Sequence, residues 1–370
     1  MKLVIQPGDG VDRLVKGIRK ARKSVEIIIF RFDRAEIERA LVDAVEKGVS
    51  VRALIAFTNH GGEQHLRKLE MRLLENGISV ARTSRDLVRY HGKMMLIDHK
   101  ELYLLAFNFT HLDIDHSRSF GLITRNPELV HEALALFEAD SRRRPYVAGH
   151  PKFVVSPVNA RKELASFIKG AKKELLIYDP KISDRAMLRA LQDRRSCGVQ
   201  IRVIGKVSRN RLPARNLAGL HLHTRTILRD RQQAFLGSQS LRALELDSRR
   251  EIGVIFRNRT IVTSLARTFE EDWAASESAV AERDARDFPI GKTARKMAKV
   301  VGKNLPVTPV VKQVARAIQR KGDLELRPKE VKETVKTAVK EAVKDVVKEA
   351  AKDAIRTMMD NTELREADTG

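Results

Sequence analysis

The first sustained apolar run is Val25-Glu26-Ile27-Ile28-Ile29-Phe30, short and rich in β-branched residues, which predicts a buried strand. Between Ala35 and Lys47 the apolar positions thin out to Ile37, Leu41, Val42 and Val45, one face of an amphipathic helix. Gly48 stops that helix, and Val49-Ser50-Val51-Arg52-Ala53-Leu54-Ile55 reads as the next strand. Strand, helix, glycine and strand make a parallel βαβ crossover. The same succession returns in the second half of the chain. Leu175-Leu176-Ile177-Tyr178 is a strand, Met187 to Arg195 a helix, and Gly198 precedes the strand Val199-Gln200-Ile201-Arg202-Val203-Ile204.

This internal repeat predicts an α/β fold of two tandem domains, each a mixed sheet flanked by helices. The charged, proline-flanked stretch Arg142-Arg143-Arg144-Pro145 to Pro151 separates them. The expected domains are therefore 1–145 and 151–275, with Trp273 capping the second core. The pattern changes after that. Residues 291–321 carry Lys and Arg but no Asp or Glu, with Val310, Val314, Ala317 and Ile318 at helical spacing. From Lys329 to Ile355 the chain repeats a Lys, usually an acid, then two apolar residues, as in Lys344-Asp345-Val346-Val347. A four-residue repeat exceeds the 3.6 residues of a helical turn, so the apolar stripe drifts around the helix. Residues 288–370 are expected to form a basic linker and helical tail. Either it is a solvated helix held by pairs such as Glu341 with Lys344, or a surface for an anionic membrane at 288–358.

Composition narrows the function. Hydrophobic residues make up 42% of the 370-residue chain, which is enough for real cores and excludes global disorder. Cys197 is the one cysteine, which excludes an internal disulfide and a cysteine-based zinc site. The net charge of +23 is spread over both the repeats and the tail and favours polyanionic partners: phosphate esters, nucleic acid or anionic lipid. Aromatic residues are only 5%, which argues against a stacking platform for single strands. After Met1-Lys2-Leu3 the chain turns at Gln6-Pro7-Gly8-Asp9, so no signal segment is expected. No run reaches the roughly 18 apolar residues of a membrane span. The expected location is cytoplasmic, with peripheral contact at the inner membrane surface left open.

The candidate chemistry sits in His91-Gly92-Lys93-Met94-Met95-Leu96-Ile97-Asp98, an H-x-K-x4-D motif entering an apolar strand. Side chains at i and i+2 share a face of a strand, so His91 and Lys93 project together. The lysine is suited to neutralise phosphate oxygens, and the histidine to attack phosphorus or move a proton. Asp98, at the strand's end, is expected to bond locally and hold the loop. One such motif arises by chance in roughly a few per cent of chains of this length. It recurs, however, as His223-Thr224-Arg225-Thr226-Ile227-Leu228-Arg229-Asp230, with Arg225 in place of lysine. Each motif is followed by a turn, Ala106 to Thr110 and Gly237 to Ser240. Each turn leads to a further strand, Ser119 to Ile123 and Glu251 to Ile255. Asn108 and Thr110 in the first turn, with Ser238, Gln239 and Ser240 in the second, are candidate substrate contacts. His60, Gly61 and Gly62 read as a surface turn. His111 and His116 near Asp113 and Asp115 read as a loop surface rather than a metal site.

These paired motifs and turns resemble the phospholipase D superfamily over residues 1 to 275, specifically in the first copy and degenerately in the second. The chain is similar, more narrowly, to bacterial proteins of the cardiolipin synthase and phosphatidylserine synthase type without membrane spans. The resemblance implies a pseudo-twofold pair of α/β domains sharing one phosphodiester-cleaving site, with no cofactor and no metal needed. It implies a covalent phosphohistidine on one histidine and acid–base work by the other. His91 is expected to be the nucleophile and His223 the general acid/base. Glu251 matches the family's carboxylate and is expected to orient His91 from across the axis, whereas Ser119 stands at the matching place in the first copy. Asp113 or Asp115 are candidate substitutes there. Arg225 keeps the positive charge of the lysine it replaces, in a bulkier form, and Asp230 mirrors Asp98. The substrate expected is a phosphodiester, with phospholipid favoured. A nuclease acting on DNA or RNA and a catalytically weakened anion-binding protein are the alternatives.

Overall fold

The computed structural model describes residues 1–57, 63–208 and 212–284. His60, Gly61 and Gly62 and the tail 288–370 lie outside the described residues. The chain divides into two compact units, Met1–Val280 and Ala281–Gly370, and both repeats fall within the first.

Each repeat builds one mixed sheet, and the strand order is the same in both. In the first the order is Lys2–Gln6, Ser117–Thr124, Glu101–Leu105, Met94–Ile97, Ser24–Ile29, Ser50–Ile55 and Ser79–Arg82. In the second it is Phe153–Val155, Ile252–Phe256, Gln233–Gly237, Arg225–Arg229, Glu174–Ile182, Gln200–Val207 and Ala214–Arg215. The expected crossovers are parallel pairs, Val25 against Val51 and Leu175 against Ile201, joined by the helices Ala35–Glu46 and Arg185–Ser196. The central strands are buried on both faces, which is why they are continuously apolar rather than alternating. Ile27 and Ile29 enter a core private to the first repeat, while Ile28, Met94 and Leu96 enter a core shared by the two repeats. In the second repeat Leu175 and Ile177 face the private core, and Leu176 and Tyr178 the shared one.

The sequence pattern did not reveal how the repeats are sewn together. Arg89–Tyr90 of the first pairs with Arg249–Arg250 of the second, and His221–Leu222 of the second pairs with Ser117–Arg118 of the first. Beneath these crossings Arg118 forms a two-pronged ion pair with Asp272, at 2.8 and 2.9 Å, and Tyr178 donates its hydroxyl to the same carboxylate at 2.7 Å. Trp273 packs partly buried against the shared core and stacks on Phe269. The helix that carries it, Arg259–Asp284, continues beyond that residue.

Candidate active site

Each motif approaches its strand as an extended segment stitched to the other repeat. His91 N donates to the Arg250 carbonyl at 2.7 Å, and His223 N to the Arg118 carbonyl at 3.1 Å. The ladder strand itself begins at Met94, so His91 and Lys93 stand just ahead of it. Gly92 between them is required by close approach, because a Cβ there would run into the Ile252 side chain. The strand leaving this site closes a tight hairpin with Asp98 and His99 both at positive φ, and Asp230 and Arg231 repeat that turn. Asp98 accepts backbone N–H groups from Arg22, Lys23 and Ser24 at 2.6–3.1 Å. Asp230 accepts from Lys172, Lys173 and Glu174 at 2.7–3.2 Å. Both aspartates therefore clamp the hairpin to the start of the neighbouring strand, a contact far longer in range than the local one expected.

The two stitched crossings bring His91, Lys93 and Glu251 together. Glu251 Oε2 lies 2.9 Å and Oε1 3.1 Å from His91 Nδ1. A carboxylate only accepts, so this contact places a proton on Nδ1 and leaves the Nε2 lone pair exposed to the site. Lys93 Nζ lies 2.8 Å from that Nε2 and donates to the His91 carbonyl at 2.7 Å. The Phe30 ring packs edge-on against the imidazole, 4.6 Å between centroids. Glu251 is fully buried and Lys93 is 1% exposed, so charge here is poorly solvated. Burial, then Lys93 and Arg225, push His91 well below its ordinary value. Burial lowers Lys93 to about 7, with Glu251 pulling the other way. Burial raises Glu251 against the pull of Lys93 and Arg225.

The second half is built alike, with different partners. Arg225 donates to the His223 carbonyl at 2.6 Å, as Lys93 does to that of His91, and its Nε reaches Ser240 Oγ at 3.2 Å. His223 Nδ1 has no carboxylate and donates instead to the Ala106 carbonyl at 2.8 Å. Its Nε2 stands 3.4 Å from Asp113 Oδ2. Ser119, at the place matching Glu251, is buried with no hydrogen-bond partner for its hydroxyl among the described residues. Asp115 is engaged elsewhere, by Arg34 at 2.5 Å and His111 at 3.0 Å. Burial, then Arg225, Lys93 and His91, lower His223 well below its ordinary value. The cations of each half thus act on the histidine of the other.

The turn residues divide. Asn108 holds Asp113 with its backbone N at 2.8 Å and its Nδ2 at 2.6 Å, which leaves its buried Oδ1 unpaired. Thr110 caps the short helix His111–Asp115 by accepting from Asp113 N. Ser238 Oγ accepts from Ile252 N at 3.1 Å, beside Glu251. Gln239 is not brought to the site: its amide donates to the Val154 carbonyl at 2.9 Å, close under Gly237 and Gly253. Sequence reasoning missed Glu245, which accepts from Ser240 N at 2.8 Å as Asp113 does from Asn108 N. It also missed the Ala106 carbonyl, Phe30, Arg89 and Arg249. Aligning the two repeats would have found Glu245, since it follows Asp230 at the same distance that Asp113 follows Asp98. Among the described residues no group of His, Cys, Asp and Glu is arranged to hold a metal ion, and no helix is long and apolar enough to cross a membrane.

Comparison with known proteins adds a family. The family described as "Cardiolipin synthase, PLD-like domain" matches residues 14–141 and again 164–273. A curated relative, the mitochondrial cardiolipin hydrolase of Danio rerio, is 33% identical over 135 residues, which is 34% of this chain and 56% of that protein. The chain therefore spans only about half the length of that relative. Among solved structures, polyphosphate kinase from Porphyromonas gingivalis superimposes with a TM-score of 0.61 at 19% identity, over 73% of this chain and 49% of the other. The phosphatidylserine synthase of Haemophilus influenzae does so with a TM-score of 0.56 at 10% identity, over 74% and 85%. At these identities the likeness is one of fold.

Proposed function

This chain belongs to the family of cardiolipin synthase, PLD-like domains, and from that premise we propose that it cleaves or transfers phosphodiesters, phospholipids by preference, through a covalent phosphohistidine on His91. The supporting observation is the buried His91–Glu251 pair with Lys93 on the opposite ring nitrogen. His91 Nε2 attacks phosphorus, so a P–N bond forms as the P–O bond to the leaving group breaks. His223 gives the leaving oxygen its proton. It then takes one from the acceptor, water or an alcohol, whose oxygen displaces His91 and regenerates the free imidazole. Lys93 and Arg225 neutralise the non-bridging oxygens, and this charge stabilisation grows as the transition state forms. Empty, the site disfavours protonated His223. An anionic diester beside it, with Asp113 close by, restores the proton the step requires.

The test is product release from phosphatidylcholine, phosphatidylglycerol, single-stranded DNA and bis(p-nitrophenyl) phosphate, with and without chelator. Chelator-resistant turnover that falls by at least roughly 10²–10⁴-fold in His91→Ala, with an acid-labile, base-stable phosphoenzyme, is expected. Turnover indifferent to His91 overturns the reading. The net charge of +23 favours nucleic acid as the second substrate class, and the DNA arm decides that. Contact of residues 288–358 with an anionic membrane belongs to the same proposal, since polybasic helices gain roughly 1 kcal/mol per Lys or Arg at such a surface.

A further inference from the structure

Two ion pairs tie the repeats together, and they occupy matching places in the two halves. Arg118, one residue before Ser119, pairs with Asp272. Arg250, one residue before Glu251, reaches Asp140 at 3.1 Å, and these two side chains are 8% and 2% exposed. Asp140 stands on the helix Pro127–Ser141 of the first repeat, so this pair also joins one repeat to the other. The second arm of each arginine is used alike. Arg118 Nη1 donates to the Gln6 carbonyl at 3.0 Å, and Arg250 Nη1 to the Ser156 carbonyl at 3.2 Å. The Arg250 guanidinium also lies 5.6 Å from the centroid of the Tyr90 ring, the residue before His91. A buried guanidinium engaged on several sides rigidifies the backbone that carries it.

The two clamps differ in what hangs on that backbone. The Arg250 carbonyl accepts from His91 N at 2.7 Å. Ser156, whose carbonyl Arg250 holds, donates its own N–H to the Glu251 carbonyl at 3.0 Å. Ile252 lies so close to Gly92 that a Cβ there would collide with it. Both ends of the 2.9 Å contact between Glu251 Oε2 and His91 Nδ1 are therefore anchored through Arg250. The Arg118 carbonyl likewise accepts from His223 N at 3.1 Å. Its neighbour Ser119 brings no carboxylate, so that clamp positions one ionisable group rather than a pair.

We infer that Arg250 and its counterion Asp140 are positioning residues for the nucleophile: their clamp fixes His91 and Glu251 against each other, an inference that rests on the roles proposed for those two side chains. The imidazole attacks only when its free nitrogen points at phosphorus, and a misplacement of about 1 Å can cost roughly 10²-fold in rate. Asp140 compensates a guanidinium that could not stay buried alone.

The experiment uses the full chain and reads His91 directly. In protein carrying isotope-labelled histidine, nuclear magnetic resonance shows the His91 ring as an Nδ1–H signal protected from exchange, assigned by its absence in His91→Gln. Arg250→Lys keeps a positive charge for Asp140 but lacks the second arm to Ser156. It is expected to shift or broaden that signal. It is also expected to lower kcat on bis(p-nitrophenyl) phosphate about ten- to hundredfold, with KM within about twofold of wild type. Asp140→Leu combined with Arg250→Met replaces the pair by apolar side chains, a change that is often neutral or stabilising for folding. This double variant is expected to keep the melting temperature and still to lose the His91 signal and the rate. A wild-type signal and rate in it would make the pair a structural tie alone and overturn the inference. The same loss of the His91 signal in Arg118→Lys, which loosens the matching clamp, would trace the effect to general packing between the repeats and overturn it too. If the wild type turns over no diester, the reaction proposed above is refuted, and the His91 spectra of these variants decide the clamp by themselves.

Discussion

Glu251 shows how much a single side chain decides in this site. Fully buried, it accepts from His91 Nδ1 and so sets the tautomer that leaves Nε2 facing the site. Glu251→Gln keeps the volume and removes the charge. It is expected to lower kcat at least about tenfold with an unchanged melting temperature; wild-type turnover would rule out the orienting role. The lysine makes a pH prediction. Lys93, lowered to about 7, must be protonated to neutralise the phosphate, so the fall of kcat/KM that begins with loss of the His223 proton at lower pH is expected to steepen as pH rises through about 7. His91 must be neutral to attack, and its depressed value places the acid limb well below 6.5. Lys93→Arg should remove the basic limb near 7, because guanidinium stays charged throughout. A limb left in place would assign it to another group. The sequence announced His91, Lys93 and Arg225 through their spacing. It could not announce that His223 would be held by the Ala106 carbonyl, since a backbone carbonyl carries no sequence signal.

At the scale of the element, the hairpin clamps are the most regular feature of the fold. Asp98 and Asp230 each end a motif strand in a turn of two positive-φ residues and tie that turn to the start of an adjacent strand. Three backbone donors hold Asp98 below its ordinary value although partial burial opposes them. Asp98→Ala hands those largely exposed donors to water and is expected to cost about 0.5–1.5 kcal/mol in chemical denaturation. For a lowered carboxyl this stabilisation is present above the unfolded-state value and is lost as pH falls through the folded-state value. The wild-type advantage over Asp98→Ala should therefore shrink in acid, and an advantage constant with pH would argue against the clamp. The x4 spacing to the aspartate was legible as a motif. Its partner was not, because strand adjacency in a sheet is set by crossover connections rather than by separation along the chain.

For the whole molecule, one apolar core spans both repeats, joining Phe120 and Leu122 of the first to Tyr178, Val254 and Phe269 of the second. We propose the repeat limits 1–145 and 151–275, and the family matches fall inside them. With that core cut open, either half expressed alone should aggregate or lack cooperative unfolding, and a monodisperse, cooperatively melting 1–145 fragment would show that the halves are independent. Deleting residues 288–370 should weaken cosedimentation with anionic liposomes while leaving diester turnover in place. Unaffected binding would remove the tail from the membrane proposal.

The amino-acid order by itself determined the repeat, the crossover strands at the centre of each sheet and the two histidine motifs, because periodicity and short spacing are local properties that survive in one dimension. Only the tertiary structure decided that Glu251 serves His91, that Asp113 approaches His223 while Asp115 is taken by Arg34, and that Arg89 faces Arg249. Apart from the Arg34–Asp115 pair, which lies within the first repeat, those outcomes follow from where strands of one repeat cross onto the other, and that crossing is set by packing two sheets on one shared core.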